Sequence, residues 1–121
     1  MVAAAALTPS PTSTPVAAAE PHSHKLGDYE TIKDVNDPFI HEIGRYACIE
    51  YNRIHRNDSK FTPHVYENVV EGKEAVVAGT NYKLVLKITI NKQSHNYEVI
   101  VYDRPWDSHR ELTSFRPLLQ H

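Results

Sequence analysis

The run "NYKLVLKITI" alternates strictly, with Tyr82, Leu84, Leu86, Ile88 and Ile90 in one phase and Asn81, Lys83, Val85, Lys87 and Thr89 in the other. One apolar and one largely polar phase at period two predict a half-buried antiparallel strand. A long strand, "PHVYENVVEGKEAVV", is expected before it and ends at Ala78-Gly79. "NYEVIVYDR" follows the polar turn "NKQSH", and "HRELTSFRP" follows "PWDS". Upstream, "NDPFIHEIGRYACIEYNRIHRND" has a helical period. Asn36 or Asp37 suits its cap and Pro38 its first turn, and Ile40, Ile43, Ala47, Tyr51 and Ile54 share one face. Gly44 and Ala47 are small on that side and admit a sheet close to the helix axis, the glycine costing about 1 kcal/mol of helix propensity. An apolar helix face with no second helix to meet must lie on the sheet. The expected fold is therefore α+β, one helix packed across a four- to five-stranded antiparallel sheet.

Composition divides the chain. Residues 1–24, "MVAAAALTPSPTSTPVAAAEPHSH", hold four of the eight prolines and read as a disordered Ala/Pro/Ser/Thr-rich tail. They lack the basic start and unbroken apolar core of a secretory signal. Residues 25–121 read as one domain, as a chain of 121 residues suggests. The formal charge of -2 excludes a general polyanion binder, so no nucleic acid is expected as a partner. Protonating all eight histidines would move that charge to +6. No apolar run approaches the ~18 residues of a membrane-spanning helix. Cys48 is the sole cysteine, which rules out an intrachain disulfide and a multi-cysteine zinc site. His55, His64, His95 and His109 have no metal-ligand spacing, and the "HSH" of the tail reads as solvated, so neither metal nor cofactor is expected.

The turns carry the functional signal. In a four-strand meander the first and third connections lie at the same end of the sheet. That end collects Val76, Val77, Ala78, Gly79, Pro105 and Trp106, while "NKQSH" makes the opposite end polar. Two adjacent apolar hairpins form an interaction edge, and tryptophan is enriched at binding hot spots. A lone tryptophan is more often a core residue, but here it stands between a proline and "DSHR" at a strand end. Catalysis has weaker support. His41 and Cys48 are about 10 Å apart along a helix axis, too far to share a proton. Cys48 reads as a small structural hydrophobe. No catalytic residue is expected.

These segments resemble the plant cystatins, inhibitors of papain-like cysteine proteases. "IGRYACIEYN" is similar to the family's helix signature, "VVAG" to the end of its Gln-x-Val-x-Gly hairpin, and "LTSFRP" to its closing strand. "PW" matches the second hairpin, and the likeness spans roughly Leu26 to Leu118. It implies a cystatin-like fold and a wedge that enters a papain-like protease at three places. These are the trunk at Leu26-Gly27, the first hairpin from Ala75 through Val76, Val77 and Ala78 to Gly79, and the second at Pro105-Trp106. Two departures stand out: Ala75 replaces the family's Gln, and Asp28 replaces a second glycine. Both are expected to attenuate inhibition. The alternative is a non-inhibitory cystatin-fold module that binds another partner.

The resemblance further implies a defence protein that is secreted or vacuolar, with the cytosol left open because no signal sequence is visible. Asn57-Asp58-Ser59 is an N-glycosylation sequon that matters in a secreted chain. A monomer is expected, with domain swapping through the first hairpin as a route to dimers. Some plant cystatins act on legumain-type proteases through a C-terminal extension; this chain reaches His121 soon after its last strand, so that activity is not expected.

Overall fold

A computed structural model describes residues 27–119. The 1–24 tail and Leu26 lie outside the described residues. The chain forms β1 (Glu30–Thr31), α1 (Pro38–His55), β2 (His64–Val77), β3 (Gly79–Ile90), β4 (Gln93–Arg104), a 3-10 turn (Pro105–Asp107) and β5 (His109–Pro117). The five strands lie in the order β1-β2-β3-β4-β5, every neighbouring pair antiparallel. The helix crosses one face of this sheet, as expected from its pattern. The fifth strand is the two-residue β1, which carries the chain along β2 before the helix begins.

The helix starts where its cap dictates. The Asp37 carboxylate accepts from the Phe39 amide at 2.8 Å, and Pro38 occupies the first turn, where no intrahelical N–H is needed. Ile40, Ile43, Gly44, Ala47 and Cys48 are buried against the sheet. A Cβ on Gly44 would lie 2.9 Å from the Tyr66 ring, 3.1 Å from Leu86 and 3.2 Å from Val69, so the missing side chain sets how closely helix and sheet approach. Ile54 departs from the expected face and is 53% exposed. In the last turns the sheet is met by Tyr51, whose ring stacks on Phe115 with centroids 3.9 Å apart. Asn52 then braces the helix to the start of β2, accepting from the His64 amide at 2.9 Å and donating to its carbonyl at 2.7 Å.

The sheet core follows the alternation in β3: Tyr82, Leu84, Leu86 and Ile88 are buried, and Val99 and Val101 of β4 join them. Two differences separate the sheet from the sequence pattern. The "NKQSH" connection is a two-residue turn, Asn91-Lys92, with φ of 52° and 68°, so Gln93 to His95 belong to β4. Two left-handed residues match the twist of the flanking strands, which is why so short a turn suffices. β2 contains register shifts at Tyr66/Asn68 and Val69/Glu71, which break its alternation. Beyond the Gly72 carbonyl, which accepts from the Ile32 amide at 2.9 Å, no strand among the described residues covers the outer edge of β2. Bulges on such an edge oppose pairing with another chain.

Candidate functional site

The register places both apolar hairpins at one end of the sheet. Thr80 pairs with Asp103; Ala78 and Pro105 each lie two residues beyond that pair, one on either hairpin. In the first hairpin Val77 pairs with Gly79, leaving Ala78 alone at the tip. Gly79 has φ +111°, and a Cβ there would lie 2.8 Å from both the Asp103 carbonyl and the Tyr102 hydroxyl, so backbone angle and space each require glycine. In the second hairpin Arg104 pairs with His109 across the Pro105–Asp107 turn. The Ser108 amide closes that turn by donating to the Pro105 carbonyl at 3.0 Å, and Arg104 pairs with Asp107 at 2.6 Å. The amino-terminal segment reaches the same end: the Gly27 amide donates to the Val76 carbonyl at 2.9 Å.

Exposure separates the residues of this edge. Trp106 is 69% exposed and Val76 56%, and Ala78 and Pro105 are also exposed, whereas Val77 is half-buried. Ala75 behaves differently: it is 2% exposed and does not present its side chain at the tip. It pairs with Asn81, on the sheet face opposite the helix, and stands outside the helix–sheet core. One position back along the β1 register from the Glu30–Glu74 pair, Tyr29 comes level with Ala75, and its ring lies 4.4 Å from the Lys83 ammonium on that same outer face. The edge thus unites Gly27, Val76, Val77, Ala78, Gly79, Pro105 and Trp106.

Beneath the tips lie groups that the sequence reading passed over. Asp103 is buried, with Arg110 donating to it at 2.8 Å from Nε and to Glu42 of the helix at 2.9 Å from Nη1. The Arg110 guanidinium lies 5.8 Å from the Phe39 ring and 5.6 Å from that of Tyr46, whose hydroxyl donates to the Arg110 carbonyl at 2.9 Å. The phase of "VIVYDR" held the signal, because Val99, Val101 and Asp103 share the inner face.

Cys48 does not form a reactive pair with His41. Burial pushes its thiol up to about 12, which leaves no thiolate at neutral pH, and His41 Nδ1 is hydrogen-bonded to the Tyr66 hydroxyl. Asn57 is exposed in the turn after the helix. Among the described residues no three His, Cys, Asp or Glu side chains are placed to hold a metal ion, and no helix is long and apolar enough to cross a membrane.

A family model described as "Aspartic acid proteinase inhibitor" (SQAPI) matches residues 32–118. Cysteine proteinase inhibitor 5 of Arabidopsis thaliana is 43% identical over 96 residues, spanning 77% of this chain and 73% of the relative. Cysteine proteinase inhibitor 1 of Actinidia chinensis var. chinensis is 36% identical over 90 residues, 74% of this chain and 73% of that one. Among solved structures, dimeric human cystatin F superposes with a TM-score of 0.64 at 21% identity, over 86% of this chain and 97% of its own. A salivary cystatin from the soft tick Ornithodoros moubata gives 0.63 at 20% identity, over 77% and 98%; at such identities both speak for the fold alone. With its helix across a five-stranded sheet and these plant relatives, the chain belongs to the plant cystatin family of cysteine proteinase inhibitors.

Proposed function

We propose that this protein is a reversible, tight-binding inhibitor of papain-like cysteine proteases, occluding the active-site cleft with its amino-terminal trunk and its two apolar hairpins. The observation that carries this reading is the exposed Trp106, on a hairpin whose neighbour presents Val76 and Ala78 at the same end of the sheet. A papain-like cleft is a groove with a thiolate on one wall and an imidazole on the other. Apolar turns fill such a groove by burying surface and expelling water. Both hairpins are backbone-paired up to the residues flanking their tips before contact, so little freedom is lost on binding. No peptide bond has to sit at the attacking sulfur, so the wedge is not consumed. Ala75, where the family has Gln, and Asp28, beside Gly27, attenuate the fit: from its buried place on the outer face Ala75 extends no amide toward the tip, and Asp28 adds a carboxylate beside the trunk.

A second reading has one specific support: the matching family model is described for aspartic proteinases, and its match begins at residue 32, after the trunk. The deciding experiment measures inhibition constants of the parent and of Trp106→Ala against one papain-type and one pepsin-type protease. The first reading expects inhibition of the papain-type enzyme, weakened about 10- to 100-fold by Trp106→Ala, as for a buried hot-spot residue. Inhibition of the pepsin-type enzyme alone would transfer the function to aspartic proteinases. Inhibition of neither would leave a non-inhibitory binding module.

A further inference from the structure

Ala78 stands alone at the first tip, so its carbonyl has no partner in the β2–β3 ladder. It accepts instead from the Tyr102 hydroxyl, on β4. Tyr102 pairs with Asn81 on the outer sheet face, and its ring occupies the space that Gly79 leaves: a Cβ there would lie 2.9 Å from the ring's Cε1. The ring also meets the second hairpin. The Arg104 guanidinium lies 5.8 Å from its centroid and the His109 ring 5.9 Å away, edge-on. Arg104 is in turn paired with Asp107, the residue after Trp106.

From this chain of contacts we infer that Tyr102 is a positioning residue that latches the two hairpin tips into one body. Its hydroxyl holds the first tip and its ring rests against the base of the second. The inference builds on the proposed inhibitory function, because a latched pair of tips matters when both must enter one cleft. Without the hydroxyl, the Ala78 carbonyl turns to water and the first tip gains local freedom that binding must then remove. Strands further down the sheet keep their ladders and their core, so the effect is confined to the tip.

Tyr102→Phe keeps the ring in place and deletes the hydroxyl, which donates to the Ala78 carbonyl and accepts from Arg104 Nη1 at a long 3.5 Å. Two measurements on the parent and this variant test the latch. Amide hydrogen exchange needs no protease: the amides of Ala78, Gly79 and Thr80 should exchange about 5- to 10-fold faster in the variant, on the scale of one lost hydrogen bond, while those of Leu84 and Leu86 hold their rates. The inhibition constant against whichever protease the parent inhibits should rise about 5- to 10-fold. Unchanged exchange at the tip overturns the latch. A uniform rise that includes Leu84 and Leu86 also overturns it, since that signals a general stabilising role. Faster tip exchange with an unchanged inhibition constant removes the positioning role. A parent that inhibits nothing defeats the proposed function, while the exchange data still decide whether the tips are latched.

Discussion

Arg110 donates from Nε to the carboxylate of Asp103 across 2.8 Å, joining β5 to the end of β4 at the base of the second hairpin. Asp103 is 4% exposed, whereas the second acceptor of Arg110, Glu42, lies on the exposed side of the helix. The inner pair therefore carries the greater consequence, because a buried carboxylate without its counter-charge is strongly unfavourable. Arg110→Ala is expected to lower stability by about 3 kcal/mol. Adding Asp103→Asn should recover part of that loss. Chemical denaturation of the two single variants and the double variant measures the coupling; strict additivity would show that the pair is not coupled.

Gly44→Ala sets two effects against each other. Alanine improves helix propensity by about 1 kcal/mol, but its Cβ would come within 2.9 Å of Tyr66 and 3.1 Å of Leu86. Overpacking a tight core costs about 1–3 kcal/mol, so the balance predicts net destabilisation. A higher melting temperature in the variant would mean that the Tyr66 and Leu86 side chains yield more readily than their packing suggests.

Restoring the family's glutamine has an expected cost as well as a gain. Ala75 is buried on the outer face, so the amide of Ala75→Gln must displace its surroundings to reach the tip. A loss of about 1–3 kcal/mol in stability is expected, together with tighter inhibition if Ala75 attenuates the wedge. Denaturation midpoints and inhibition constants on the same preparation test both halves. Weaker inhibition by the glutamine variant would count against attenuation.

His64 makes stability depend on pH. Burial holds its imidazole below the ordinary value of 6.5; the Thr62 carbonyl, accepting from Nδ1 at 2.8 Å, acts the other way, and His55 and His95 add to the lowering. Its ring lies among those of Tyr51, Phe61, Tyr97 and Phe115. A depressed folded-state value means that the unfolded chain binds the proton more readily. The contribution of neutral His64 is therefore fully present above about pH 6.5 and is lost as the pH falls through the lower folded-state value. Denaturation midpoints from pH 7.5 down to about pH 5 should fall less steeply in His64→Gln than in the parent. Equal slopes would remove His64 from the acid response.

Features that depend on neighbours in sequence were legible without coordinates. The helix start at Asp37-Pro38, the buried phase of β3 and the extent of β5 follow from capping geometry and side-chain period, which operate over a few residues. The gathering of Gly79 and Trp106 at one end followed from counting turns, since an antiparallel meander reverses at each. Tertiary structure decided what period cannot encode. The bulges in β2 and the short edge strand β1 arise from how neighbouring strands align, and the exposure of Ile54 arises from Tyr51 occupying the last contact with the sheet. The burial of Ala75, the Asp103–Arg110 pair and the Tyr102 bond to Ala78 each join residues far apart along the chain or on separate strands. Sequence determined which loops are apolar; the cross-strand register decided which side chains hold them together, because a shift of one residue turns every side chain of a strand to the opposite face.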